Sequence, residues 1–462
     1  MMTVDYQARH RVPPTPGHQA ANGRALPARL SGPPRRLVGV CWPAANWYAI
    51  GIAGLISGSR LPTIGDACAV FVLSSASLLF GLWVYWRHGG PLVTGVGIYN
   101  FAFAIFVGFA GLYLLFSDLP RDDLIPALAW CYFGQVTTWL LFWTQGPPPQ
   151  PARVKAPDVG YLRRITWWGL VVTCGAAPVS LALVGSMRQL GQAAGFVGTV
   201  LIAIGLLSDK RRPPLWGCLL GAGGFALSVA TSNSYARMTL VSLAFALVVV
   251  VSRRLGTRVV KAATILSAAP LLWALGDMRK EAVQAQRPGT LINATGLESV
   301  VSPLESFVKL LHLDAARDLA YAWGDTFAVA VVSLVPRALW PSKPPGFGAE
   351  LMLMLHPELA NSGHSDAALF QGEWLYNFGI LGLALMMPVV GIGVWAADRF
   401  LMRAAVLSPG SRWALLGYGS AVVIVASLPD LTWGTFTFAV RVGMRLAVLV
   451  VVSVLITNRR IE

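Results

Sequence analysis

The sequence predicts an all-α fold: a polytopic membrane helix bundle of about twelve spans, with one large folded loop late in the chain. Three observations predict it. The 462 residues are 55% hydrophobic and only 12% charged, with a mean hydropathy of +0.60, whereas soluble domains carry about 25% charged residues. Apolar segments of about twenty residues recur, the length an α-helix needs to cross about 30 Å of hydrocarbon. Lys and Arg gather in alternate loops between those segments, which is how membrane proteins encode orientation.

Spans are predicted near 38–57, 66–86, 92–116, 124–144, 165–185, 190–207, 214–231, 238–252, 262–276, 369–396, 413–428 and 440–457. Residues 1–37 are polar, with Pro and Arg throughout, and read as a disordered cytoplasmic tail without a cleavable signal peptide. Residues 38–276 hold the first nine spans. Residues 277–368 form a loop far longer than the usual connection of about 4–6 residues. Residues 369–462 hold the last three spans and a short cytoplasmic C-terminus. Within the loop, LESVVSPLESFVKLLHL (297–313) has helical apolar spacing. FAVAVVSLV (327–335) is too short to span, so a re-entrant or interfacial element is expected there.

The formal net charge of +15 does not point to nucleic acid, because the basic residues are scattered in short clusters. With the N-terminus inside, the pairs Arg35 and Arg36, Arg163 and Arg164, and Arg253 and Arg254 all fall in inside segments. The outside loops among the first nine spans carry single arginines, Arg60, Arg121, Arg188 and Arg237. Both termini are therefore expected in the cytoplasm and residues 277–368 outside. Cys41, Cys68, Cys131, Cys174 and Cys218 stand in or beside apolar segments without a CxxC pair. They read as small buried hydrophobes rather than disulfide or metal partners.

Ionisable groups at the predicted outer face supply the candidate site. Arg237 lies in TSNSYARM (231–238), where the orientation rule disfavours arginine. It either snorkels or aims its planar fork at an anionic lipid head, with Tyr235 adding a neutral donor. VPRALWPSKPPGFG (335–348) holds Arg337, Trp340 and Lys343 among four prolines that fix the backbone around the cations. It reads as an interfacial anchor or as a shaped site. GHSDAALFQGEWLYNFGILG (363–382) supplies His364, Asp366, Glu373 and Asn377. An ionisable Glu373 in the first turn of a span is a functional candidate by default, and His364 has the pKa suited to a general base. Gly379 and Gly382 read as close-packing positions. Arg441 and Arg445 share one helical face, and Arg279 at the start of the loop joins the substrate-binding set. There is no glycine-rich phosphate loop, no zinc-ligand spacing, no Ser-His-Asp order and no DxD-like acidic pair. No cofactor is expected.

These residues give the chain a resemblance to the O-antigen polymerase (Wzy-type) family, related to the O-antigen ligases. It rests on many spans with one large late outer loop, on VPRALWPSKP, on the helix-end arginine of SYARMTL (234–240), and on GEWLYNFGILG (372–382). The family's usual glycine neighbours are missing around Arg237. The resemblance implies a membrane glycosyltransferase C-like fold in the bacterial cytoplasmic membrane. It implies a polyprenyl-diphosphate-linked oligosaccharide as substrate, joined into surface polysaccharide on the outer face without a metal. Membrane lipids and a chain-length regulator are the other expected partners. His364, Glu373, Arg237 and Arg337 would be catalytic. Lys343, Trp340, Tyr235, Asn377, Arg441, Arg445 and Arg279 would bind substrate. A ligase that transfers the finished glycan to another acceptor, and a flippase for the lipid-linked oligosaccharide, are the alternatives.

Overall fold

The computed structural model describes residues 62–458 except 118, 144–157, 183–184, 232–236, 287–296, 333–334, 336–339, 341, 358–364 and 406–410. The described residues form helices α1 (Pro62–Arg87), α2 (Gly95–Leu114), α3 (Arg121–Trp143), α4 (Val159–Ala182), α5 (Gly185–Ser208), α6 (Pro214–Thr231), α7 (Arg237–Leu255) and α8 (Val259–Gln286). They continue as α9 (Glu298–Ala315), α10 (Asp325–Val332), α11 (Phe347–Leu355), α12 (Leu369–Ala404), α13 (Arg412–Ala426), α14 (Leu428–Trp433) and α15 (Thr435–Asn458). No strand occurs among them.

Nine spans among the described residues are long and apolar enough to cross a membrane: α1, α2, α4 to α7, α12, α13 with α14, and α15. Of the other three expected spans, 38–57 lies outside the described residues. The stretch expected at 124–144 lies, as far as residue 143, in helix α3, which is not among the nine. The stretch at 262–276 becomes the long helix α8, whose apolar part is the shorter Val259–Ala274.

Small residues set the tightest helix pair. On α4, Thr166, Thr173 and Ser180 stand one heptad apart. They face Gly205, Gly198 and Gly191, which stand one heptad apart on the antiparallel α5. A Cβ on Gly198 would lie 2.4 Å from Thr173 Oγ1, and one on Gly205 would lie 2.3 Å from Thr166 Oγ1. A seven-residue repeat of small side chains is what lets two membrane helices approach along their whole length.

The long loop is built of packed helices. The apolar stripe of α9 lies against α3, α2 and α12, burying Leu304, Phe307 and Leu310. That helix matches the one expected at 297–313. The short α10 lies against α15 and α12, where the sequence suggested a re-entrant or interfacial element.

Two polar clusters close the two ends of α7 and α12. At one end, Asp398 accepts the Gly95 N–H at 2.7 Å, Ser252 Oγ accepts the Val93 N–H at 3.1 Å, and Lys261 Nζ donates to the His88 carbonyl at 2.6 Å. The other end holds the candidate site. From Gly379 to Asp398 the helix rises about 28 Å at 1.5 Å per residue, close to the thickness of a hydrocarbon core.

The cysteines correct one expectation. Cys131 is buried, but Cys68 and Cys174 are exposed on the helices and Cys218 is half-buried. Hydropathy cannot separate a core-facing position from an outward-facing one when the bundle's surroundings are themselves apolar.

Candidate functional site

α12 enters the bundle through a clamped segment. Asp366 accepts Ser306 Oγ at 2.5 Å and the Ala367 N–H at 2.8 Å, and its own N–H donates to the Gly348 carbonyl at 2.9 Å. Burial pushes the Asp366 carboxyl above its ordinary range, and these hydrogen bonds pull the other way.

One turn into α12 the Glu373 carboxylate is fully buried. It accepts the Phe436 N–H on both oxygens, at 3.0 and 3.2 Å, and Thr326 Oγ1 at 3.2 Å. Glu373 therefore caps the start of α15 from another helix, where orphan N–H groups and the helix dipole favour an anion. Asn377 lies one turn on. Its amide donates to Thr326 Oγ1 and to the Glu373 carbonyl, both at 2.7 Å. Its Oδ1 accepts the Gly324 N–H at 2.9 Å.

The helix then breaks at Gly379, whose φ of 63° and ψ of −159° are open to glycine. The break frees carbonyls that a continuous helix would use. The Ala322 and Trp323 N–H groups take those of Tyr376 and Asn377, each at 3.0 Å. The loop before α10 is thus bonded directly into the interrupted span. A glycine read for packing alone is a chain break.

The second half of the site lies on α15. Arg441 Nη1 donates to Asp430 Oδ1 at 2.5 Å, and Arg445 Nη1 to Asp430 Oδ2 at 3.0 Å and to Ser427 Oγ at 2.5 Å. Ser242 of α7 donates to Asp430 Oδ2 at 2.9 Å. Arg445 is buried with its guanidinium carbon 4.3 Å from the centre of the Phe196 ring. Its Nη2 finds no hydrogen-bond partner among the described residues. Two guanidiniums share one carboxylate, so the cluster keeps one positive charge in excess. Arg441 is its partly exposed member, with 25% of its side chain accessible.

The structure thus groups Glu373 with Asn377, and Arg441 with Arg445, all around the first turns of α15. Arg237 is half-buried at the start of α7, the helix that also carries Ser242. Trp340 and Lys343 belong to a local turn: Lys343 Nζ donates to the Val335 carbonyl at 2.8 Å, and Trp340 Nε1 to Ser342 Oγ at 3.1 Å. His364, Arg337 and Tyr235 lie outside the described residues. Arg279 falls on α8, with its side chain outside the described set. Sequence reasoning missed Asp430, Thr326, Ser242 and Ser427. For Asp430 a signal existed, since two arginines inside one span demand a counter-charge.

No family model, curated protein or solved structure matches the chain.

Proposed function

We propose that the protein is a membrane glycosyltransferase that joins polyprenyl-diphosphate-linked oligosaccharide units into a surface polysaccharide on the outer face of the cytoplasmic membrane. The observation that carries this reading is the excess positive charge of the Arg441–Asp430–Arg445 cluster, with Arg441 accessible. It stands about one and a half turns along α15 from the buried Glu373 cap. In the proposed reaction an acceptor sugar hydroxyl attacks the anomeric carbon of the donor. The bond from that carbon to the diphosphate oxygen breaks, and the leaving polyprenyl diphosphate gains negative charge. Arg441 takes up that charge, while Asp430, itself bonded to Arg445, holds the Arg441 guanidinium in place. Arg237 is the second cation. His364, two residues before the clamped Asp366, receives the hydroxyl proton. Glu373 positions the start of α15.

The test is the purified protein in lipid nanodiscs with its native lipid-diphosphate oligosaccharide, products being resolved by length. A ladder of longer glycans is expected. Arg441→Gln and Arg237→Ala are each expected to lose about 10²–10³ in rate, the size of a lost transition-state donor. Absence of lengthened product with wild-type protein would exclude the reading.

The break in α12 favours a second reading, a flippase for the same lipid, because interrupted helices recur in transporters. It ranks second because the freed Tyr376 and Asn377 carbonyls already hold protein donors. A deletion strain separates the cases. Single-unit surface glycans indicate a polymerase, and intermediates trapped at the cytoplasmic face indicate a flippase. Long lipid-linked chains without surface glycan indicate a ligase.

A further inference from the structure

Trp323 is one of three non-glycine residues with a positive φ among the described residues, beside Arg317 and Leu369. Its φ is 49°, a left-handed conformation that bulky side chains rarely adopt, and the residue is 77% exposed. An exposed ring has no core to hold it there. The backbone does: the N–H groups of Ala322, Trp323 and Gly324 donate to the Tyr376 carbonyl, the Asn377 carbonyl and Asn377 Oδ1. Strain held by such an anchor is retained where the side chain it aims has a task.

The neighbouring Tyr321 is also exposed. Its ring stands at 87° to the indole with centroids 6.1 Å apart, forming an open aromatic corner. Tyr321 is fixed in turn. Its hydroxyl donates to Asp314 Oδ1 at 2.6 Å. Its ring rests on the α12 break so closely that a Cβ on Gly379 would lie 2.9 Å from it.

The charges around the corner say what it faces. Within the described segment 314–325, Asp318 and Asp325 are exposed and Asp314 is half-buried, against one cation of that segment, Arg317. Tryptophans that anchor proteins to lipid headgroups come with Lys and Arg. An acidic rim repels anionic headgroups, while carboxylates accept hydrogen bonds from sugar hydroxyls and aromatic rings stack on the apolar faces of sugar rings.

We infer that Tyr321 and Trp323 form a carbohydrate platform that binds a neutral sugar unit of the oligosaccharide beside the broken end of α12. The inference rests on the glycan reading above and deepens it. Asn377 bonds both to the platform's backbone and to Thr326, the partner of Glu373. Platform and buried carboxylate are therefore held in register by one side chain.

The test uses the full-length protein in detergent, with tetrasaccharides of glucose, mannose and N-acetylglucosamine as probes at up to tens of millimolar. Binding is read by saturation-transfer NMR and folding by the melting temperature. Wild type and Trp323→Phe are expected to bind at least one probe. Trp323→Gly is expected to bind it about tenfold more weakly, yet to melt higher, because glycine accepts the positive φ without strain. Wild-type protein that binds no probe overturns the inference. So does a Trp323→Gly variant that binds normally, or one that melts lower, which would make the ring a packing element. Loss of retention in phosphatidylglycerol vesicles with an unchanged sugar titration makes Trp323 an interfacial anchor, and the inference also falls. Sugar binding through Trp323 without any glycan lengthening leaves the platform standing and the polymerase reading refuted. A polymerase indifferent to Trp323→Gly gives the reverse.

Discussion

Asp430 serves two guanidiniums with one carboxylate, so removing different members of the cluster has different consequences. Without Arg441, a one-to-one pair of Asp430 and Arg445 remains, still bonded to Ser242 and Ser427. Without Asp430, two cations face each other, and Arg445 is left buried and uncompensated. Arg441→Gln should therefore change stability by less than about 1 kcal/mol, while Asp430→Asn should cost about 3–5 kcal/mol. Thermal unfolding of the purified variants checks the contrast; equal losses would mean that Asp430 does not compensate the buried Arg445. The two arginines were legible in the sequence because their spacing puts them on one helical face. Asp430 was not, because the predicted span ended at residue 428 and left it between two spans. Glu373 and Asn377 were legible as polar groups in an apolar run. Their partner Thr326 was hidden, since a lone threonine on a short helix carries no pattern.

The interruption of α12 is the feature on which the helices around the site converge. The sequence places its start well and ends it early, at 396 instead of Ala404. It does not reveal the break, because a break of this kind depends on donors from residues 322 and 323, remote in the chain. Gly379→Ala adds a Cβ against the Tyr321 ring in a conformation closed to alanine. We expect it to lower stability by at least about 1–3 kcal/mol and to abolish glycan lengthening together with sugar binding. Gly393 of the same helix has nothing within 4 Å of its would-be Cβ. Gly393→Ala should stabilise by about 0.5–1 kcal/mol, the ordinary helical gain. Melting curves of the pair check this, and similar behaviour of the two variants would show that α12 is continuous.

At the scale of the whole molecule, the expected topology places α9 to α11 outside. Ala320 is exposed before α10, and Thr257 is exposed between α7 and α8. In a cysteine-free background, Ala320→Cys should react with a membrane-impermeant maleimide on intact cells, and Thr257→Cys only after permeabilisation. The opposite pattern would invert the protein and move the site to the cytoplasm. The bundle class was legible because composition and span length report the solvent directly. The way the loop helices pack against the spans was not, since amphipathicity reveals that a face is covered but not by what. The same arginine cluster also bears on how the chain enters the bilayer. Taken alone, α15 would carry Arg441 and Arg445 into hydrocarbon, each costing up to about 2.5–3.5 kcal/mol. Synthesis delivers Asp430 first, in the short helix just before. The counter-charge is thus already present when the arginines emerge, and α14 and α15 enter together with one of the two cationic charges already compensated.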